Sequence, residues 1–561
     1  MTGSRNPLSR LKEGARAVAF GNPFYNLTLG GRAPSALSII PPDPWPGDVG
    51  TGTLLIGGAL HFAGEAHRIA PAKPDQHLGA VPWLPEGAAP AWVRAAHGFD
   101  WLRDLKAVSG DTARRQARLL VTDWIDHFGS WHPVTWAPEL LGARIASWIG
   151  QHDFYCSSAD DDFRARVFDS LARQCKHLSR VVPGTLRDSG LVVALKGLAY
   201  GGLCLPGLGK YFDEALALLE KELPRQILPD GGHIERCPST QLLVLRHLID
   251  LRAALRIARI DIPEELQHAI DRMTPALRFF RHGDGGLALF NGAQEEEPAC
   301  IDTVLAQADA RGKPLKSAPH TGFERMLAGR TLILMDTGVP PAEGLDAHAH
   351  AGLLSLELSV AKERLFVNCG AHPGNFGPWR TALAATAAHS TLTLAETNSS
   401  EVLNKGGLGR RPLAVTCERL EQDGSVLVEA THDGYLRPFG LIHRRRLYLA
   451  ENGEDVRGED SLEPPAAAVS STSGHPFIVR FHLHPAVQAS LLREGHAVLL
   501  RLASGVAWRL RASGCDIDLV ESVYLGVGDE ARRSLQVTLS AYTQDGPTLV
   551  KWALRREKKG A

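Results

Sequence analysis

"HAHAGLLSLELSVAKERLFVNCG" runs from His348 to Gly370. Its middle alternates, with Leu354, Leu356, Leu358 and Val360 on one side and Ser355, Glu357 and Ser359 on the other. Successive side chains of a strand point to opposite faces, so this alternation predicts a half-buried strand. "AKER" then turns the chain and "LFVN" returns it, which is a hairpin signature. The same style continues in "SVLVEATHDGY" (425–435), "HRRRLYLAENGEDVRGEDSL" (443–462), "HAVLLRLASGVAWRLRAS" (496–513) and "RSLQVTLSAYTQDGPTLVKWAL" (533–554). Many strands with tight turns and no helices between them predict an antiparallel β-sandwich.

Upstream the period changes. From Pro90 to Arg281 apolar residues recur at helical spacing, as in "DTARRQARLLVTDWIDHF" (111–128), "PELLGARIASWIGQHDFY" (138–155), "DFRARVFDSLARQCKHLSRVV" (162–182) and "YFDEALALLEKELPRQIL" (211–228). Pro or Gly stands in many of the joints. Successive helices without strands predict antiparallel helix pairs curved into a toroid. The fold class is therefore α+β and multidomain, an N-terminal (α/α) helical toroid followed by a C-terminal antiparallel β-sandwich. We divide the chain into an irregular Pro/Gly-rich lead-in with short helices (1–85), the toroid (86–315) and the sandwich (316–561).

Composition excludes some functions. The 61 basic and 62 acidic side chains nearly cancel, which removes a global field for nucleic acid or an anionic membrane. No uninterrupted apolar run of about 20 residues is present, so no transmembrane segment is expected. The eight cysteines form no CxxC pair and read as free thiols of a reducing compartment. No secretory signal is evident, which favours the cytoplasm. The basic amphipathic stretch Arg5–Arg16 is read as a solvated helix in preference to a membrane-surface contact.

Two segments concentrate chemistry. "DGGHIERCPSTQ" (230–241) precedes a helix whose first turn suits Pro238. A glycine-rich loop at a helix start presents backbone N–H groups to an anion. His233, Glu235 and Arg236 are read as facing one cavity, against the alternative that Asp230, Glu235 and Arg236 cap helices and pair with each other. In the second segment, His348 and His350 share a face if the strand begins that early. They then chelate a metal together with His389 and Asn368 or Cys369, or pair one ligand with one catalytic histidine. The alternative is two histidines satisfied by backbone carbonyls. A second HxH, His482 and His484, stands alone and is read as structural.

Together these residues resemble the heparinase II/III family of polysaccharide lyases. The likeness rests on a toroid before a sandwich, on the "DGG…E" loop, and on "HAHAGLLSLELS…LFVNCG" followed by "AAHSTLTL", similar to the family's "HAHxDxLSFEL…LLVDPG" and "RAHNTL". The nearest likeness is to a bacterial branch with "DGGH", "NCGA" and "RFHLHP" segments. The resemblance implies β-elimination on an acidic, uronic-acid-containing polysaccharide held between the domains. Such a site neutralises the uronate carboxylate, removes the C5 proton and protonates the leaving oxygen.

It further implies His348 as the catalytic sandwich histidine, and His350 and His389 as ligands of one structural zinc, with Asn368 where the family has a ligating Asp. No organic cofactor is implied. Thr240 and Gln241 stand where the family has Tyr-His, and Ser189-Gly190 where it has Asn-His. Replacements are sought in His233, Glu235 and Arg236, with Tyr435 as a phenol from the sandwich. Arg144 and Asp230 are assigned to substrate binding, as is Gln241. Trp136 and Trp379 are assigned as sugar platforms, whereas Trp148 is read as core.

Three functions follow in order. The first is a lyase acting on an acidic polysaccharide or oligosaccharide. The second is a glycan-binding or scaffold protein that kept the fold and lost the chemistry, favoured by the missing Tyr. The third is a toroid glycoside hydrolase using Asp230 and Glu235. By the family resemblance the periplasm is the alternative location. The oligomeric state is left open, a homo-oligomer included.

Overall fold

The computed structural model describes residues 14, 18–73, 77–375, 377–465, 473–492 and 496–557. Apart from Gly14, the basic stretch Arg5–Arg16 lies outside the described residues. The order found is the order expected, helices first and antiparallel sheets after them. The boundary differs from a single cut at 315/316. One unit comprises Met1–Gln226 with Leu243–Ile270, and the other Ile227–Leu242 with Asp271–Ala561. The Asp230–Gln241 loop, read as part of the toroid, therefore folds with the sheets.

The helices of the first unit start where the sequence supplies a start signal. Pro occupies the first turn of Pro90–Gly98 and Pro138–Gly150, where its missing N–H costs nothing. Asp160 caps Asp161–Val181 by accepting from the Phe163 N–H at 2.7 Å, and Asp188 caps Ser189–Cys204. Pro138–Gly150 and Ser189–Cys204 cross at glycines. A Cβ on Gly197 would lie 2.2 Å from the Gly142 carbonyl oxygen, so any side chain there forces the helices apart. Phe99, Trp124 and Trp148 are fully buried and meet edge to face, Trp124 and Trp148 with centroids 5.7 Å apart. Trp148 is thus core, as expected.

The second unit holds two antiparallel sheets. One has eight strands, from Gln488–Leu491 through Ala497–Arg501, Ala507–Ser513, Thr548–Arg556, Asp455–Glu463, Ile442–Leu449 and Ser425–His432 to Val415–Gln422. The other, of nine strands, includes Asp516–Tyr524, Arg532–Tyr542, Pro476–Leu483, Glu363–Val367, Leu356–Val360, Thr331–Asp336 and Phe323–Ala328 in that order. Inward residues of both, among them Ile333, Leu358, Phe366, Val428, Leu447, Phe481, Trp508 and Val537, form one apolar core.

The predicted hairpin is present, with Val360 opposite Glu363. The strand is buried on both faces, however, not one. Its leucines join the core. Glu357 bonds His282 Nε2 at 2.9 Å and Ser359 bonds His282 Nδ1 at 2.9 Å, so its polar side is covered by the chain around residue 282.

A second polar network lies inside the sandwich. Arg445 and Asp460 are fully buried, and Arg445 Nε donates to Asp460 Oδ1 at 2.7 Å. Arg445 Nη1 donates to the carbonyls of Leu354 and Ser390, both at 2.8 Å. His443 Nε2 bonds the same Asp460 oxygen at 2.9 Å, and Trp552 donates to the other at 3.1 Å. All eight cysteines are free thiols, as expected. Among the described residues no helix is long and apolar enough to cross a membrane.

Candidate functional site

The HxH segment is a loop, not the start of the strand, which begins at Leu356. The two imidazoles therefore do not share a strand face as the spacing suggested. His350 is buried, and its backbone N–H donates to Asn291 Oδ1 at 3.2 Å. His348 is half-buried, and its Nδ1 lies 2.9 Å from Asn375 Nδ2. An amide nitrogen can only donate, so the Nδ1 lone pair is engaged and the imidazole proton sits on Nε2. Asn375 carried no signal in the sequence beyond its place in a Pro/Gly-rich turn.

His350 Nδ1 and His389 Nε2 lie 3.2 Å apart. His389 Nδ1 donates to the Ala385 carbonyl at 2.8 Å, which leaves Nε2 as acceptor for a proton on His350 Nδ1. Burial holds His389 down at about 4, so the pair is neutral at physiological pH. Gly352 is required beside it, because a Cβ there would come 2.6 Å from the His389 ring.

Asn368, the third group of the implied zinc site, is turned elsewhere. Its Oδ1 accepts from the Ser390 N–H at 3.0 Å, and its buried Nδ2 has no hydrogen-bond partner among the described residues. An amide nitrogen offers a metal no lone pair. Structural zinc takes four donors, usually Cys and His. Among the described residues no cluster of three His, Cys, Asp or Glu could hold a metal. Two imidazoles and a committed amide do not fit a resident zinc. The purified protein is accordingly expected to carry far less than one zinc per chain, and chelator should leave its melting midpoint unmoved. One zinc per chain by elemental analysis, with a midpoint lowered by chelator, would contradict this.

The Asp230–Gln241 loop is a clasp. Asp230 accepts from the N–H groups of His320 and Thr321, both at 2.8 Å, and from the Thr321 hydroxyl at 2.5 Å. Arg236 donates from Nε to the Thr321 carbonyl at 2.6 Å and from Nη2 to Gly322 and Asp336, the last at 2.5 Å. Its guanidinium also lies 4.7 Å from the Phe323 ring centre. Gln241 accepts from the His233 N–H at 2.7 Å and donates to the carbonyls of Gly231 and Met273. His233, Glu235, Arg236, Thr240 and Gln241 are all buried, and burial holds His233 down at about 3. Gly231 is left-handed, and a Cβ there would meet the Arg272 carbonyl at 2.0 Å.

The other assigned residues part company in the same way. Tyr435 is fully buried with its hydroxyl donated to the Leu392 carbonyl at 2.8 Å, and burial pushes its pKa up. Arg144 is fully buried in the first unit, bonded to Gln174, His97 and Thr135, with its guanidinium 4.0 Å over Trp124. Trp136 is 2% exposed and donates to the Phe128 carbonyl, so it is no platform. Trp379 is 40% exposed. His482 is buried on Ser522 and the Ala387 carbonyl, in keeping with its structural reading.

Residues 310–553 match the family model for the heparinase II/III-like C-terminal region. The chain superposes on crystallised heparinase III with a TM-score of 0.71 at 14% identity, covering 87% of this chain and 80% of that one. The chain belongs to the heparinase II/III-like family. A heparan sulfate lyase, HepC of Pedobacter heparinus in mutant form, matches with a TM-score of 0.63 at 15% identity, covering 98% of this chain and 91% of its own. At these identities the heparinase likenesses establish the fold. In sequence, the chain is 34% identical over 560 residues to FtsZ-localized protein C of Caulobacter vibrioides, covering 96% of this chain and 93% of that protein.

Proposed function

We propose that this heparinase-fold protein is a non-catalytic scaffold positioned with FtsZ, not a working polysaccharide lyase. One observation carries the reading. The loop in which the family resemblance places the acid–base residues has Thr240 and Gln241 there, and its charged groups are spent on internal bonds, Arg236 on Asp336 above all. A guanidinium held by a buried carboxylate and two carbonyls is not available to neutralise a uronate. Support comes from a relative aligned along nearly the whole chain whose name places it with FtsZ.

A second reading, the lyase, is favoured by His348, which keeps the sandwich histidine half-exposed and oriented by Asn375. Two measurements separate them. A fluorescent fusion in the cell of origin should track FtsZ and disperse on FtsZ depletion. The purified protein should give no ultraviolet absorbance of unsaturated product on a panel of uronate polymers. An absorbance rise that disappears in His348→Ala would overturn the scaffold reading in favour of the lyase.

A further inference from the structure

The outer face of the eight-stranded sheet carries a concavity of about 490 Å³, lined among others by Arg446, Tyr448, Arg457, Glu459, Arg511 and Lys551. Its position follows from strand register. One row across the sheet reads Glu429, Arg446, Glu459, Lys551 on neighbouring strands. That row is an alternating charge ladder of the kind that ordinarily solvates a sheet face, with Arg446–Glu429 at 2.5 Å and Lys551–Glu459 at 3.7 Å.

The next row is different: Leu427, Tyr448, Arg457, Ala553, Arg511. An alanine stands between two arginines, and its missing bulk makes the floor of the hollow. Arg457 is paired within its own strand to Asp455 at 2.7 Å and is 56% exposed. Arg511 is exposed and has no ion pair among the described residues. The four lining cations thus face three carboxylates, Glu429, Glu459 and Asp455, and the unbalanced charge is that of Arg511. Ion pairs account for the first row and for Arg457, and leave Arg511 unaccounted for.

We propose that this hollow is a docking site for an acidic oligosaccharide bearing carboxylate or sulfate groups, separate from the histidine loop. Charge complementarity selects an anion, and guanidinium forks bind carboxylate and sulfate in bidentate fashion. Tyr448 and Leu427 add an apolar wall of the kind a sugar ring packs on. The volume falls within the roughly 300–1,000 Å³ of small-ligand pockets. A peptide strand is disfavoured, because the strands beneath are hydrogen-bonded on both sides and offer a peptide backbone no partners. The site goes beyond the scaffold reading and does not depend on it. The HxH loop leads into the other sheet, so either proposal can fail alone.

The test uses the full chain, with His348→Ala as background so that binding is read without turnover. Titration calorimetry with a heparin-derived tetrasaccharide should show binding that weakens with salt. Arg457→Ala and Arg511→Ala should each weaken it about tenfold. Ala553→Phe, which fills the floor without changing charge, should abolish it while the melting midpoint holds. Maltotetraose should not bind. Absence of tetrasaccharide binding, equal binding of maltotetraose, indifference to Ala553→Phe, or tighter binding of a glutamate-rich decapeptide would each overturn the assignment.

Discussion

Replacing Asp460 by alanine is expected to cost the sandwich about 3–5 kcal/mol, the range for removing one partner of a buried ion pair. Arg445 is left fully buried with its charge uncompensated, and one of its nitrogens, Nη2, already lacks a partner. Burial by itself would raise the Asp460 pKa. The Arg445 guanidinium and the His443 hydrogen bond outweigh burial and hold the carboxyl well below the usual range. The loss also propagates. Gly434 N–H donates to His432 Nδ1, His432 Nε2 then donates to His443 Nδ1 at 3.2 Å, and His443 Nε2 donates to Asp460. Trp552 loses its acceptor too. Against a total stability of about 5–15 kcal/mol for a typical domain, one substitution removes a large share. Urea titration followed by sheet circular dichroism checks this through the midpoint. A cost near the ~0–1 kcal/mol of an exposed pair would show that the network is solvated after all.

The network also marks what the sequence does and does not disclose. In "HRRRLYL" the strand period places Arg445 in phase with Leu447 and Leu449, while Arg444 and Arg446 fall on the opposite phase. An arginine on the apolar phase signals a buried charge, and that signal was there to be read. The two-part fold was legible for the same reason, since periods of about 3.6 and 2 survive without tertiary information. The Asp230–Gln241 loop was misread because local sequence shows that groups are polar and not what faces them. Its partners, Thr321 and Asp336, lie about a hundred residues downstream. The buried polar side of Leu356–Val360 was hidden likewise, because its cover, His282, precedes it by more than seventy residues. Asn375 had no periodic or compositional signal, so its role at His348 emerges only from the coordinates.

Acid is expected to unfold the protein from about pH 6.5 downward, well before its carboxylates reach their own range. Buried histidines in both units set this, among them His97 and His177 in the first and His233 and His482 in the second, none of these more than 3% exposed. Burial is the first cause in every case, holding His97, His233 and His482 at about 3 and His177 at about 4. His97 is fixed as the neutral imidazole, its Nδ1 accepting from Trp124 at 2.9 Å and its Nε2 bonded to the Trp83 carbonyl at 2.8 Å. The folded form stays neutral while the unfolded chain gains protons below about 6.5. Their contribution is therefore complete above that pH and is lost as pH falls toward the folded values, by about 1.4 kcal/mol per pH unit for each histidine. Buried carboxyls oppose the trend: burial pushes Asp104 up to about 6 and raises Glu139 and Asp188 in the helical unit, and raises Asp336 in the sheet unit. Burial also holds down His132, His152 and His247 in the helical unit and His350, His389, His432, His443 and His484 in the sheet unit, so the fall of the sheet unit should be the steeper. The melting midpoint should be level from pH 8 to 7 and drop sharply between 6.5 and 4.5, with peptide-level hydrogen exchange at pH 5 opening the sheets before the helices. A midpoint that holds from pH 7 to 5 would mean that these imidazoles take up protons in place, and that the burial described here does not keep them neutral.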